Sequence, residues 1–559
     1  MNGLKTKSSR EFKRSIHSRS NRRGFASYAY FYLEKEKGRA LPKPRASIRI
    51  ALVYPNTYEI GMANLGFQTV YRLFNAHPHV QCERIFLYPP PWDQEIRTLE
   101  SGTSIARFDF IGFSIAYELD ILNAVQLLKQ GGIPPLVKER TEAHPIVFFG
   151  GVLGGLNPSP LLPFADAFLA GEGEGIIEKI ADSLVQYRKG KYVKQQRLEA
   201  LAQIEGIFVQ GISHTVTQHV VKSLEAWPTY TSIITPFSHF ANMMVIELSR
   251  GCPWHCYFCA GSKVYHPFRV RSPESVLEIV KHYNPGASRI GLESVGLSDY
   301  PGLEDLCDTL LHMGLTLSFS SLRVDRISFR FLEILQKANL RSFTLAPESG
   351  SEQIRKRIRK GISDAQLNES IERLSQSPIQ NLKLYFLLGL PGEGIEEAES
   401  IVQTVLRIRD IFCKNHPKRK IRVSINTFIP KPWTEFQWAG MAPESELKKK
   451  WEILRKGFEG VSQIEWIPKN FRNEKLQALI ARGDERVGLA IYDKVMHGIS
   501  WENAFRFHGV NPKEVHEEKS FLHPLPWDFI QTQIPKSTLW TRYQAYCKNT
   551  KEDLWVKQH

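Results

Sequence analysis

Apolar residues in this chain fall in short runs, separated by segments with helical spacing. In the first half the runs are 48–55 (IRIALVYP), 81–89 (QCERIFLYP), 108–116 (FDFIGFSIA), 145–151 (PIVFFGG) and part of 165–175 (ADAFLAGEGEG). Each is short enough for a strand, and all but the second are too largely apolar for a sheet wetted on one side, which predicts parallel strands covered on both faces. Residues 62–77 and 119–132 repeat apolar positions three and four apart, as helices on a sheet do, and Gly131-Gly132 ends the second. Strands alternating with helices predict a doubly wound α/β domain, with ligands at the carboxyl ends of its strands. Residues 176–240 read as a helix, a β-rich stretch and a linker, with EGIFVQ and HTVTQHVVKSL as strands crossing to a second domain.

From 241 to about 445 the alternation recurs. Strands are expected at 242–251, 288–296, 315–325, 342–351, 381–393 and 420–432, and helices at 272–283, 303–314, 328–339, 363–377 and 395–415. Six such units suit a partial barrel, (β/α)6, whose active groups belong at the carboxyl strand ends. Residues 446–559 are charged and read as mainly helical, with an aromatic loop, PLPWDFIQ, at 524–531.

Length changes little in this picture: 559 residues with 42% apolar content fill two or three globular domains. No run of 18 apolar residues occurs, so no membrane span is expected. The net charge of +15 is uneven. Residues 1–45 hold 13 Lys/Arg against three Glu, so +10 lies there and the other 514 residues carry about +5. That segment reads as a basic extension, low in apolar residues and disordered, with FASYAYFYLEKEKGRALP as a short helix into the first domain. It lacks the apolar core of a secretory signal and faintly resembles an organelle transit peptide. Nucleic acid is expected to touch the chain only through this tail. Seven cysteines in this length are no disulfide scaffold and suit a reducing, cytoplasmic setting.

Three of those cysteines, Cys252, Cys256 and Cys259, sit in ELSRGCPWHCYFCA (247–260) with C-x3-C-x2-C spacing. Three thiolates on one short loop suit three corners of a [4Fe–4S] cluster and leave the fourth iron open. An open coordination position distinguishes a catalytic metal site from a structural one. A Cys3His zinc knuckle with His255 is the alternative, although adjacent His255 and Cys256 make joint tetrahedral ligation awkward.

At these residues the chain resembles the radical S-adenosylmethionine (SAM) superfamily, whose C-x3-C-aromatic-x-C signature CPWHCYFC matches throughout. The resemblance implies that SAM chelates the open iron and that an electron from the cluster splits it into methionine and a 5′-deoxyadenosyl radical. It implies a row of SAM contacts at strand ends: Phe258 against adenine, Glu293 and Ser294 near the amino group, Ser320 and Arg323 at ribose and carboxylate, Glu348 toward SAM or substrate, and Leu390 and Pro391 at the adenine site. Leu-Glu-Ser at 292–294 departs from the usual Gly-Gly-Glu. Lys383 and Tyr385 lie within the same strand as GLPG, where one of them would face the pocket.

The first domain resembles the cobalamin-binding domains found ahead of radical SAM barrels. Its strand ends supply the implied corrinoid contacts: Tyr58, Glu59 and Gly61, then Ser114, Gly150 and Gly151, and Gly171, Glu172 and Gly173. It departs from that pattern in having no D-x-H-x-x-G, so no histidine is marked as a cobalt ligand. LRVDRIS, TLAPESGSEQIRKRIRKG and NTFIPKPWTEFQW resemble phrases of bacterial proteins with both domains, and the likeness spans about residues 48–540.

The expected architecture is therefore α/β: a flavodoxin-like doubly wound domain at 46–235, a partial (β/α)6 radical SAM barrel at 236–445, and a mainly helical region at 446–559. The expected function is reductive SAM cleavage on an unknown substrate, with cobalamin-dependent methyl transfer to an unactivated carbon. An electron donor such as flavodoxin or ferredoxin is the expected partner. The alternatives are corrinoid-independent radical modification of RNA, protein or a metabolite, and a nucleic-acid-binding protein whose cluster is structural.

Overall fold

The computed structural model describes residues 25–90, 95–190, 193–467 and 471–558; the most basic part of the N-terminal extension, 1–24, lies outside them. Helix α1 (Phe25–Leu33) follows, as the aromatic run suggests, and buries Tyr28, Ala29 and Tyr32. Residues from Phe25 onward thus belong to the packed first domain rather than to an extension.

The first sheet has the strand order β2-β1-β3-β4-β5-β6. Its members are β1 (Ile48–Val53), β2 (Val80–Ile85), β3 (Phe110–Ser114), β4 (Ile146–Gly150), β5 (Ala167–Leu169) and β6 (Ile207–Val209). The first five are parallel, and the order 2-1-3-4-5 is the flavodoxin-like one. Strand β6 is antiparallel to β5 and closes this sheet's edge, so EGIFVQ does not cross to the second domain. The second stretch expected to cross, Val216–Thr217, pairs instead with Ile530–Gln531, more than three hundred residues on. Helices α2 (Leu65–Ala76), α3 (Asp120–Gln130) and α4 (Ile176–Lys189) complete the domain. Asn64 caps α2 by accepting from Phe67 N–H at 2.8 Å.

The barrel runs β7 (Met243–Arg250), α5 (Pro273–Tyr283), β8 (Arg289–Ser294), α6 (Leu303–His312), β9 (Thr316–Phe319), α7 (Phe329–Lys337), β10 (Ser342–Glu348), α8 (Asp364–Ser375), β11 (Asn381–Leu388), α9 (Glu396–Cys413) and β12 (Lys420–Thr427). These six strands lie in two parallel arcs, β9-β8-β7 and β10-β11-β12, joined by a bridge between Leu322 and Leu345. A seventh short strand, β13 (Ile464–Trp466), extends the second arc in parallel after helix α10 (Glu444–Phe458). Strand β11 alternates buried leucine or phenylalanine with half-exposed Lys383, Tyr385 and Leu387. The buried set packs on the helices and the other set lines the barrel interior.

Helices α11 (Phe471–Arg482), α12 (Glu485–His497) and α13 (Lys536–Gln558) follow. Leu539, Tyr543 and Tyr546 of α13 join the apolar core of the first domain, together with Trp438 and Trp527. Among the described residues no helix is long and apolar enough to cross a membrane.

Candidate active site

The carboxyl ends of the first sheet and of β7 and β8 open into one cavity of about 510 Å³. It has two parts. A narrow apolar arm runs between the sheet face of Leu52, Phe110, Gly112 and Phe148 and the side chains of Val70, Leu73 and Phe74 on α2. Gly112 sits mid-strand here, and a Cβ at that position would make only ordinary contacts with Leu52 and Phe110 at 3.5 Å. The mouth is polar. It is lined by Ser114, Gly150, Gly151, Gly171, Glu172, Gly173 and Glu174 from the first domain and by Glu247, Ser249, Arg250, Glu293 and Ser294 from the barrel. Gly151 and Gly171 have φ of +90° and +115°, and a Cβ on either would lie within 2.5 Å of the Ile115 or His219 carbonyl oxygen. Both positions therefore demand glycine.

Six of the nine first-domain residues expected at a ligand line this mouth: Ser114, Gly150, Gly151, Gly171, Glu172 and Gly173. Tyr58, Glu59 and Gly61 do not. The chain leaving β1 makes a helical turn back toward β2 before α2 begins. Tyr58 is consequently buried against Tyr32, with ring centroids 4.1 Å apart, and donates to Glu36 at 2.7 Å. Glu59 accepts from Tyr32 at 3.3 Å, and Gly61 abuts Phe86. Ala63, Asn64, Leu65 and Gly66 reach the cavity in their place; the helical periodicity of 62–77 was the signal for them.

A charged network closes the joint between the domains. Arg250 pairs with Glu174 at 2.7 Å, Glu247 at 2.7 Å and Glu172 at 3.1 Å. Arg269 takes the other side of Glu172 at 2.6 Å. Burial alone would raise the Glu174 carboxyl, and Arg250 outweighs it and holds the group below the usual range. Three carboxylates against two guanidiniums leave one negative charge at the cavity mouth. Glu293 adds a further acid. It projects into the cavity, where water reaches it but protein surrounds it. Burial, with Glu247 beside it, pushes its carboxyl up to about 7. Among the described residues it has no hydrogen-bond or ion-pair partner.

Cys252, Cys256 and Cys259 are free thiols on the loop that leaves β7. Cys259 lies near enough to raise the pKa of both other thiols, and burial pushes Cys256 up to about 12. Buried thiols of this kind ionise when a metal takes them. Lys360 and Arg323 oppose that rise at Cys256. No three His, Cys, Asp or Glu among the described residues stand close enough to hold a single ion. A cluster does not require that, because each thiolate binds its own iron, whereas a Cys3His knuckle needs all its donors on one ion. The His255 imidazole sits 5.4 Å from that of His266, and burial with Lys263, His266, Arg542 and Arg359 drives its pKa down to about 4.

The remaining sequence candidates gather around this loop. Ser294 shares a 2.5 Å hydroxyl contact with Ser249, and Ser320 donates to the Ser294 carbonyl at 3.0 Å. Arg323 stacks 3.6 Å over Trp254, pairs with Asp325 at 3.0 Å and donates to the Lys360 carbonyl at 2.8 Å. Glu348 has φ of +72° and accepts from Lys360 at 3.1 Å. Leu390 is buried and donates its N–H to Glu393 at 3.0 Å, while Pro391 accepts from Tyr546 at 2.5 Å. Phe258 is half-buried against the first core. Sequence reasoning passed over Lys360, Glu247 and Arg250. Arg250 and Glu247 pair locally on β7, but Glu172 and Glu174 reach Arg250, and Glu348 reaches Lys360, only when the chain has folded.

The model of the radical SAM superfamily matches residues 246–405, and that of the N-terminal region of radical SAM proteins matches 66–210. The chain belongs to the radical SAM superfamily. An uncharacterized protein of Methanocaldococcus jannaschii is 25% identical over 446 residues, covering 78% of this chain and 89% of that one. An uncharacterized methyltransferase of Pyrococcus horikoshii is 25% identical over 248 residues, or 43% of this chain and 52% of that one. Among solved structures, the radical SAM methyltransferase TsrM of Kitasatospora setae, with cobalamin and a [4Fe–4S] cluster bound, superposes with a TM-score of 0.54 at 12% identity, over 82% of this chain and 99% of that one. At that identity the likeness is one of fold.

Proposed function

We propose that the chain is a cobalamin-using radical SAM methyltransferase. The observation that carries this reading is the single cavity that joins an apolar arm inside the flavodoxin-like sheet to an acidic mouth beside the cysteine loop. Cys252, Cys256 and Cys259 would hold three irons of a [4Fe–4S] cluster, which supplies the electron that splits SAM. The apolar arm would take the buried part of a corrinoid, which supplies the methyl-transfer centre, with the glycines of the mouth letting backbone approach it.

The chain's own residues then bind and orient. The unbalanced negative charge at the mouth favours a cationic ligand, and Glu293 offers a free carboxylate for SAM's ammonium group. Ser294 and Ser320 fix the backbone at the end of β8. Lys360 and Arg323 bring positive charge beside Cys256, where it favours the thiolate and attracts SAM's carboxylate. Glu393, held by buried Lys450 at 3.0 Å, accepts from the N–H groups of Gly389 and Leu390 and so shapes the loop proposed for adenine. The partners this reading requires are a methyl-accepting substrate and a donor of single electrons.

The test is anaerobic reconstitution with iron and sulfide, reduction, and mass spectrometry of SAM-derived products with and without hydroxocobalamin. S-adenosylhomocysteine formed only with cobalamin is the expected result; 5′-deoxyadenosine alone in both reactions overturns the corrinoid assignment. A Gly112→Ile variant sharpens it. The new side chain fills the apolar arm, so cobalamin retention on a desalting column is expected to fall at least about tenfold, with iron content unchanged.

Glu293 predicts a pH dependence. Its carboxyl loses a proton near 7, and only the ionised form attracts an ammonium group, so SAM affinity is expected to rise between about pH 6 and 8. Glu293→Gln should bind SAM about tenfold more weakly at the upper end of that range and show a flat profile, measured by equilibrium dialysis.

A further inference from the structure

A second cavity, of about 560 Å³, shares no lining residue with the first. It lies between the end of α11, the first turn of α12 and the segment 510–526. That volume is in the range of sites for small organic ligands. Part of its wall is apolar, from Val487, Val510, Pro524 and Pro526. Two cations meet there. Arg482 lines the cavity and is 5% exposed. Its guanidinium donates to the Val515 carbonyl at 2.9 Å and, more loosely, to the Glu517 carbonyl at 3.4 Å, and its Nε–H has no partner. Among the described residues no carboxylate pairs with it. Arginine is rarely buried in that state, because carbonyl dipoles do not cancel its charge. Burial lowers its pKa to about 10, so it remains charged at neutral pH. Lys519, half-buried, also lines the cavity and has no ion pair or side-chain hydrogen bond among the described residues. Burial lowers its pKa, and the nearness of Arg482 lowers it further.

The acids around these two cations are committed or wet. Asp484 holds Arg486 at 2.9 Å, and Glu518 accepts from Tyr543 at 2.8 Å. Glu514 and Glu517 are exposed, where water screens them. The cavity thus has a positive floor beneath an acidic rim, an arrangement that turns away a polyanion such as nucleic acid and admits a single anionic head.

We propose that this cavity binds a small organic acid, with its carboxylate or phosphate head against Arg482 and Lys519 and its apolar body between Val510 and the two prolines. A guanidinium with a free N–H suits either head, and a charge held away from water attracts it strongly. The site lies apart from the chemistry proposed above and does not rest on it. Its walls are tied to the first domain: Asn157 donates to the Gly483 carbonyl at 2.7 Å, and Ser159 donates to the Pro526 carbonyl at 2.5 Å. A ligand seated here therefore stiffens the joint between that domain and the C-terminal helices.

The test uses the full reconstituted chain and three probes: benzoate, phenyl phosphate and the neutral benzyl alcohol. Calorimetry is expected to show saturable one-to-one binding of benzoate or phenyl phosphate, whichever head the floor takes, and none of the alcohol at up to about 10 mM. Lys519→Gln should weaken binding of that acid at least about tenfold. Ser520→Trp, placed at an exposed lining position, should fill the cavity and abolish binding. Both variants should keep the wild-type circular dichroism spectrum and iron content. The acid should also raise the melting temperature of the wild type and leave that of Ser520→Trp unchanged. Binding of neither acid overturns the proposal, as does equal binding of the alcohol or binding that survives either substitution. All of this is measured without SAM, so the result stands or falls independently of the proposed function.

Discussion

Cys256→Ala is expected to abolish 5′-deoxyadenosine formation and to lower iron from about four per chain toward zero after reconstitution. Cys256 is the buried member of the three thiols, and its neighbours are arranged for an ionised sulfur. Burial pushes the free thiol up to about 12 even though Lys360 and Arg323 stand beside it and pull the other way. An alanine leaves those two cations facing each other with only Glu348 and Asp325 to balance them. The variant should still fold, because the loop is also fixed by the Tyr257 N–H donating to the Ile358 carbonyl at 3.1 Å. Circular dichroism and iron analysis on the same sample separate the outcomes. A folded Cys256→Ala protein that keeps its iron and still cleaves SAM would remove the cluster assignment altogether.

Arg250→Met carries the largest expected effect on stability. The guanidinium joins Glu172 and Glu174 of the first domain to Glu247 of the barrel, and all four side chains are at least 85% withdrawn from solvent. Removing it leaves three buried carboxylates to Arg269 alone. Breaking a buried ion pair in this way costs about 3–5 kcal/mol, which urea unfolding should register as a lower midpoint. Because the lost stability comes from stranded charge, Glu174→Gln added to Arg250→Met is expected to recover part of it. If the double variant is less stable than the single one, the carboxylates are not what Arg250 offsets.

Most of the architecture could be read from the chain, for identifiable reasons. Strands such as Ile146–Gly150 are apolar throughout because both faces are covered, and Asn381–Leu388 alternates because one face borders the barrel interior. Neither pattern depends on distant residues. The cysteine loop stands out in the sequence because its three cysteines are close together. What escaped needed long-range knowledge. Ile464–Trp466 is three residues long and carries Glu465, so it becomes a strand only by pairing with β12. Ile207–Val209 could have joined either domain, and its antiparallel pairing with β5 decides the matter. The glycine and acidic residues after β1 looked like those after β4 and β5, yet the turn at Tyr58–Gly61 packs them against Tyr32 and Phe86 instead. The network on Arg250 spans 76 residues to Glu174, a distance at which no local pattern signals a partner.

Helix α13 gives the order of synthesis a role in loading the metal. Arg542 meets Glu435, Tyr546 donates to Pro391, and Tyr546 lies 6.2 Å from Tyr257 on the cysteine loop, so surroundings begun near residue 250 are completed by residues near 546. A ribosome releases the three cysteines long before it releases those partners. Until then the loop lacks its outer wall, and iron acquired early would lie open to water and oxygen. The cysteine loop therefore reaches its final surroundings only after α13 has been made and has packed against it.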